Sequence, residues 1–237
     1  LGPPARPYVA ELDRDPGPLR IGLLTDGAGV DIDPECVAGA EATARLLEGF
    51  GHRVEPGGPA ALFDAGEATN AILWVAGIAR RIDVLSELAG RPLGPDDVEP
   101  YNWQSAELGR SMTATAWVKA QEDQQAWVVR VASWFDDHDL LLTPTTGEPP
   151  ALLDELEPPD DDPLSIGRRY GRIARFTLAF NVTGNPAISL PLHWTKSGLP
   201  VGSHLVAPMG REDLLLRVAS QLERAQPWAD RRPPVEG

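Results

Sequence analysis

The side chains able to do covalent chemistry are few and lie far apart in this chain. A serine hydrolase needs a hydroxyl activated by a base, with an oxyanion pocket of backbone donors that usually sits on a glycine-rich turn. The sequence has neither G-x-S-x-G nor a glycine and serine cluster. Ser105 falls at an expected helix start, Ser133 inside a helix, Ser189 in a strand and Ser197 in a turn. None has an implied partner base, so structural roles are expected for all four. The histidines stand at 52, 138, 193 and 204, without the HExxH spacing that places two on one helical face. Zinc is therefore not expected. His193 and His204 lie in two strands expected to pair and could face one another across the hairpin, for packing or for contact with a polar substrate group. Asp160, Asp161 and Asp162 lack the alternation and the glycine of a calcium loop, which reads as a solvated segment. Gly22, Gly27 and Gly29 follow a strand, but not in the G-x-G-x-x-G order of a dinucleotide turn. No metal and no cofactor is implied.

Bulk properties narrow the class. At 237 residues and 42% apolar content the chain can bury a full core. It carries no run of 18 apolar residues and no secretory pattern, which points to a cytoplasmic protein with no membrane partner. A net charge of −14 argues against nucleic acid and anionic lipid, both of which need a basic field. Cys36 is the single cysteine, so no internal disulfide forms, and a small buried residue on a helix is expected there. The positive charge is almost entirely arginine, with Lys119 and Lys196 the two lysines. The opening LGPPARPY reads as linker, so residues 1–19 are expected to be linker-like and the chain to be part of something longer.

The elements that must position these groups alternate between strand and helix. RIGLLTD at 20–26 suits a buried strand closed by Gly27. Asp33 then caps a helix with Pro34 at its first position, running through Cys36, Ala40, Ala44 and Leu47 to Gly49. A strand over 52–55 completes a strand-helix-strand unit, which predicts a layered α/β/α fold with a mixed, partly parallel sheet. Helical spacing continues over 67–88, and one or two long helices are expected over 105–134. Residues 139–145, DLLLTPT, form a second buried-strand candidate ending in a polar loop at the mouth of an α/β site. Residues 149–163 are acidic and rich in proline, which predicts an exposed, mobile loop. A helix over 168–180, strands over 187–192 and 201–207, and a helix over 211–224 close a single domain spanning 1–237.

The closing stretch carries a family resemblance. Phe176, Thr177, Phe180, Asn181, Thr183, Gly184, Pro186, Ala187, Ser189 and Pro191 are followed by Gly198 to Pro200, Gly202, Asp213 to Leu215 and Glu223. This order resembles the carboxy-terminal portion of amidase signature enzymes. RIGLLTD, NAILWVAGIARRIDVL, RPLGPDDVEPYNW, DLLLTPT and PWADRRPP resemble the bacterial nylon-oligomer hydrolase-like subset of that family. His204 departs from the glutamine that many members carry there. The resemblance implies hydrolysis of a carboxamide through an acyl-enzyme, with a small amide as substrate. It also implies that the serine, bridging serine and lysine set lies outside this chain, so no catalytic residue is assigned and an isolated piece is expected to be inactive. A lysine base must be kept neutral by burial or neighbouring charge, which the turn around Lys196 does not readily do. The resemblance assigns part of the substrate pocket to this segment. Thr143, Thr145, Phe176 and Asn181 are the expected lining, although Asn181 could equally cap its helix. A non-catalytic binding or regulatory module with the same fold is the alternative. Exposed sheet edges and apolar surface would favour self-association of an isolated piece.

Overall fold

The computed structural model describes residues 2–159 and 161–231. Leu1 of the linker-like opening, Asp160 of the acidic triplet and residues 232–234 of the closing PWADRRPP lie outside the described residues. The described elements form an α/β fold with two compact units.

The first unit comprises the described residues up to Gly58, Ala132–Pro150 and the described residues from Ala174 onward. It holds a five-stranded mixed sheet of β1 (Arg20–Leu23), β2 (Arg53–Pro56), β3 (Leu140–Pro144), β4 (Ala187–Trp194) and β5 (Pro200–Val206). The order is β2-β1-β3-β5-β4. β1 runs parallel to both β2 and β3, while β5 runs antiparallel to β3 and β4. All five residues of β3 are buried, as the central strand of a sheet covered on both faces requires. β4 is an edge strand, and its register shifts between Leu190 and His193, around Pro191. A proline has no N–H to give to the ladder, so an edge or an irregularity is where a strand tolerates it.

Helix α1 (Pro34–Gly49) begins where the capping chemistry places it, with Asp33 Oδ1 accepting from Glu35 N at 2.8 Å and Pro34 at the first turn. Its apolar face packs with helix α7 (Glu212–Ala225) over one side of the sheet. Leu47, Leu140, Leu142, Leu205, Leu214, Val218 and Leu222 form that core. A buried hydroxyl pair, Thr43 Oγ1 and Ser203 Oγ at 2.7 Å, ties α1 to β5. Near the amino terminus, Tyr8–Glu11 forms a 3-10 turn whose buried Glu11 receives Arg217 Nε and Nη2 of α7, each at 2.8 Å.

The second unit spans Pro59–Val131 and the described part of Ala151–Ile173. The helical stretch expected over 105–134 is two helices: α3 (Pro100–Arg110) starts earlier, and α4 (Ala114–Ala132) follows a break after it. Ser105 is therefore a buried interior residue of α3, and Ser133 opens a 3-10 turn (Ser133–Asp136) in the first unit. Helix α2 (Ala65–Ala89) packs on α3 around Ala79, Ile82 and Ala106. Buried Trp127 of α4 donates its indole N–H to Ala61 O at 2.7 Å. The helix expected over 168–180 is divided as well, into α5 (Ile166–Ile173) and α6 (Leu178–Thr183), with turn backbone between them. Among the described residues no helix is long and apolar enough to cross a membrane.

Candidate functional site

The polar groups converge at the carboxyl end of β3. Register pairs Thr143 of β3 with His204 of β5, and His204 with Ser189 of β4. Paired residues share a face of a sheet and successive residues alternate. This row therefore lies opposite the face on which Ser203 meets α1.

Thr143 is fully buried and donates its hydroxyl to Pro144 O at 2.8 Å. A hydroxyl has one proton, so the 3.0 Å contact between Thr143 Oγ1 and His204 Nδ1 has the imidazole Nδ1–H as donor. His204 is 4% exposed, and burial pushes its pKa down to about 4. The ring is thus neutral at physiological pH, with its lone pair on Nε2. Phe180 of α6 lies against it, ring centroids 5.8 Å apart and planes inclined at 50°.

Two residues beyond Thr143, Thr145 Oγ1 meets Ser189 Oγ at 2.6 Å across the sheet. Thr145 N donates to Gly202 O at 3.0 Å, which brings β5 directly beneath the hydroxyl pair. A Cβ on Gly202 would stand 2.5 Å from both hydroxyl oxygens, so only glycine fits under them. Buried imidazole, buried threonine and an exposed hydroxyl pair thus form a graded polar strip across three strands. Such a strip can accept and donate hydrogen bonds to a small polar ligand. Its location suits that use, because α/β sheets bind ligands outside the carboxyl ends of their strands.

Of the four residues expected from sequence to line a pocket, Thr143 and Thr145 belong to this strip. Phe176 is fully buried in the turn that precedes α6. Asn181 sits exposed within α6. The end of α6 is held instead by Gly184, left-handed at φ 76°, and by Asn185, whose Nδ2 donates to Ala207 O at 2.8 Å. Sequence reasoning passed over Ser189, Gly202 and the inward orientation of His204. The signal for them was the two-residue period shared by the 143–145 and 202–204 stretches, readable only once the register is known.

His193 and His204, which could have faced one another across the hairpin, do not. His193 pairs with Val201 in the hairpin and places Nε2 3.1 Å from Glu35 Oε2, while His204 pairs with Ser189. The register shift around Pro191 accompanies this difference. His52 is spent within the core: Leu19 N donates to Nδ1 at 3.2 Å, leaving Nε2–H to donate to Gln221 Oε1 at 2.9 Å. His138 stacks on Trp134 at 3.8 Å between centroids and contacts Glu55 at 3.2 Å. Lys119 is exposed and ion-paired with Asp123 at 2.8 Å, which raises its pKa and holds it protonated. Lys196 lies exposed in the hairpin turn. Cys36 is buried on α1. Among the described residues no three His, Cys, Asp or Glu side chains gather as metal ligands.

Comparison with known proteins places this geometry. A family model described as Amidase matches residues 2–216. The 6-aminohexanoate-cyclic-dimer hydrolases of Paenarthrobacter ureafaciens and Pseudomonas sp. (strain NK87) are 39% and 38% identical over 240 and 239 residues, 97% of this chain and 48% of each relative. The solved structure of 6-aminohexanoate cyclic dimer hydrolase matches with a TM-score of 0.92 at 36% identity, covering 98% of this chain and 50% of that one. A bacterial aryl acylamidase of the amidase signature family, at a TM-score of 0.77 and 18% identity, shares the fold. The chain spans about half the length of the curated relatives it matches.

Proposed function

Because this chain belongs to the amidase family, we propose that it is the carboxy-terminal portion of an amidase that hydrolyses a small carboxamide to acid and amine through an acyl-enzyme. The observation that carries the reading is the 38% identity to a 6-aminohexanoate-cyclic-dimer hydrolase over 97% of this chain but 48% of that relative. A relative of known structure has been solved with its substrate bound, which supports a small amide as ligand. The nucleophile and its base belong to sequence beyond these residues. In this reading the chain supplies the sheet and one wall of the substrate pocket. Thr143 and Thr145 are the polar part of that wall, Phe176 supports it from the interior, and Asn181 contributes from the exposed side of α6. The intact protein works in the cytoplasm on a small molecule, without nucleic acid or membrane partners.

The test is hydrolysis of 6-aminohexanoate cyclic dimer, followed by amine release. The product of the whole gene is expected to turn it over, and the 237-residue chain alone is expected not to. Turnover by the chain alone, unaffected by any single serine substitution, would overturn the assignment of the nucleophile elsewhere. A gene product inert toward amides yet binding them favours the alternative, a regulatory module that has kept the fold without the chemistry.

A further inference from the structure

We propose that His204 is a specificity-determining hydrogen-bond acceptor, whose Nε2 receives the N–H of a secondary amide substrate. The inference rests on the amidase reading and deepens it by naming the kind of amide.

The argument starts from the proton count. Thr143 spends its hydroxyl proton on Pro144 O, so His204 must donate from Nδ1 and keep its lone pair on Nε2. The tautomer is thus fixed by a backbone carbonyl two bonds of the relay away. Among the described residues no donor is hydrogen-bonded to Nε2, and the atom is not one of the enclosed side-chain polar atoms left without a partner, so it reaches the open side of the strip although the residue as a whole is buried. An acceptor held in one tautomer at the margin of a buried strip is ready to receive a donor from a ligand, and the low polarity around it strengthens that bond. Register supplies the direction from which that donor comes. Ser189 faces His204 from the edge strand, and its exposed hydroxyl, paired with Thr145, opens the strip to ligand. An amide offers a matched set to these groups: its N–H for the imidazole, and its carbonyl for a hydroxyl proton of the Thr145 and Ser189 pair. A tertiary amide lacks the N–H and leaves the imidazole unmet.

The experiment uses the product of the whole gene with two probes, N-butylhexanamide and its N-methylated tertiary counterpart. Affinity is measured by calorimetry, and amine release is followed in the same samples. The wild-type protein is expected to favour the secondary amide by about tenfold, the scale of one buried hydrogen bond. His204→Leu should erase that preference by weakening the secondary amide alone, and His204→Gln, which can present a carbonyl oxygen, should restore it. A purely structural role for His204 would weaken both amides together in His204→Leu. That result, an unchanged preference in His204→Leu, or a wild-type protein that binds both probes equally or neither, overturns the proposal. Turnover that is indifferent to His204 sinks this inference and leaves the amidase reading standing. Bound amide that is never hydrolysed sinks the amidase reading instead.

Discussion

At the scale of single residues, the single hydroxyl proton of Thr143 decides how a neighbouring imidazole can be used. It turns His204 into a neutral, one-sided acceptor, and burial keeps the ring in that state. The same burial makes a stability prediction. In the unfolded chain the histidine titrates near its ordinary 6.5, whereas in the folded chain it does so at about 4. The unfolded state therefore binds more protons between these values, and stability rises with pH there. His204's contribution is fully present above 6.5 and is lost as pH falls toward 4. The full loss is on the order of 3 kcal/mol from the shift in pKa. Urea unfolding of wild type and His204→Gln at pH 7 and at pH 4.5 measures it, with the wild type losing more than the variant on acidification. Equal losses would mean that other groups carry the acid sensitivity.

At the scale of elements, local signals fixed some boundaries and close packing fixed others. Asp33, Pro34 and the apolar spacing after them place the start and the buried face of α1 within the sequence itself. The breaks between α3 and α4 and between α5 and α6 carry no proline inside them to announce them, and the long apolar periods ran across both. Gly109 illustrates what only packing decides. It lies near the end of α3, where a Cβ would collide with the carbonyl of Val75 on α2, so the two helix backbones meet there without an intervening side chain. Gly109→Ala should destabilise the second unit by about 1–3 kcal/mol, the usual cost of overpacking, despite alanine's better helix propensity. Thermal or denaturant unfolding followed by tryptophan fluorescence checks this, and a neutral or stabilised variant would show that the helices part easily.

At the scale of the whole molecule, the sheet presents β2 and β4 as edges among the described residues, and β4 carries exposed Ala187 and Ser189. Trp74, Leu88 and Val129 are also 58%, 79% and 67% exposed. Open strand edges and uncovered apolar side chains promote association. We expect the isolated 237-residue chain to self-associate, with light scattering showing a mass that grows with concentration; a constant monomer mass would refute this. Much of the architecture was legible beforehand, because strand-helix-strand alternation and a five-residue buried run leave few layered arrangements open. The motif order from Phe176 to Glu223 was likewise enough to indicate the amidase family, since a series of turn glycines, prolines and strand residues is written in the sequence itself. The place of Thr143 and Thr145 at a strand end was legible as well. What the sequence could not decide was which residues stand beside them. That depends on the register of β5 between β3 and β4, and a slip of one residue would turn His204 toward α1 and Ser203 toward the strip. Chain order determined the family and the layers, and only tertiary pairing brought Thr143, His204, Ser189 and Gly202, up to 61 positions apart, into one hydrogen-bonding surface.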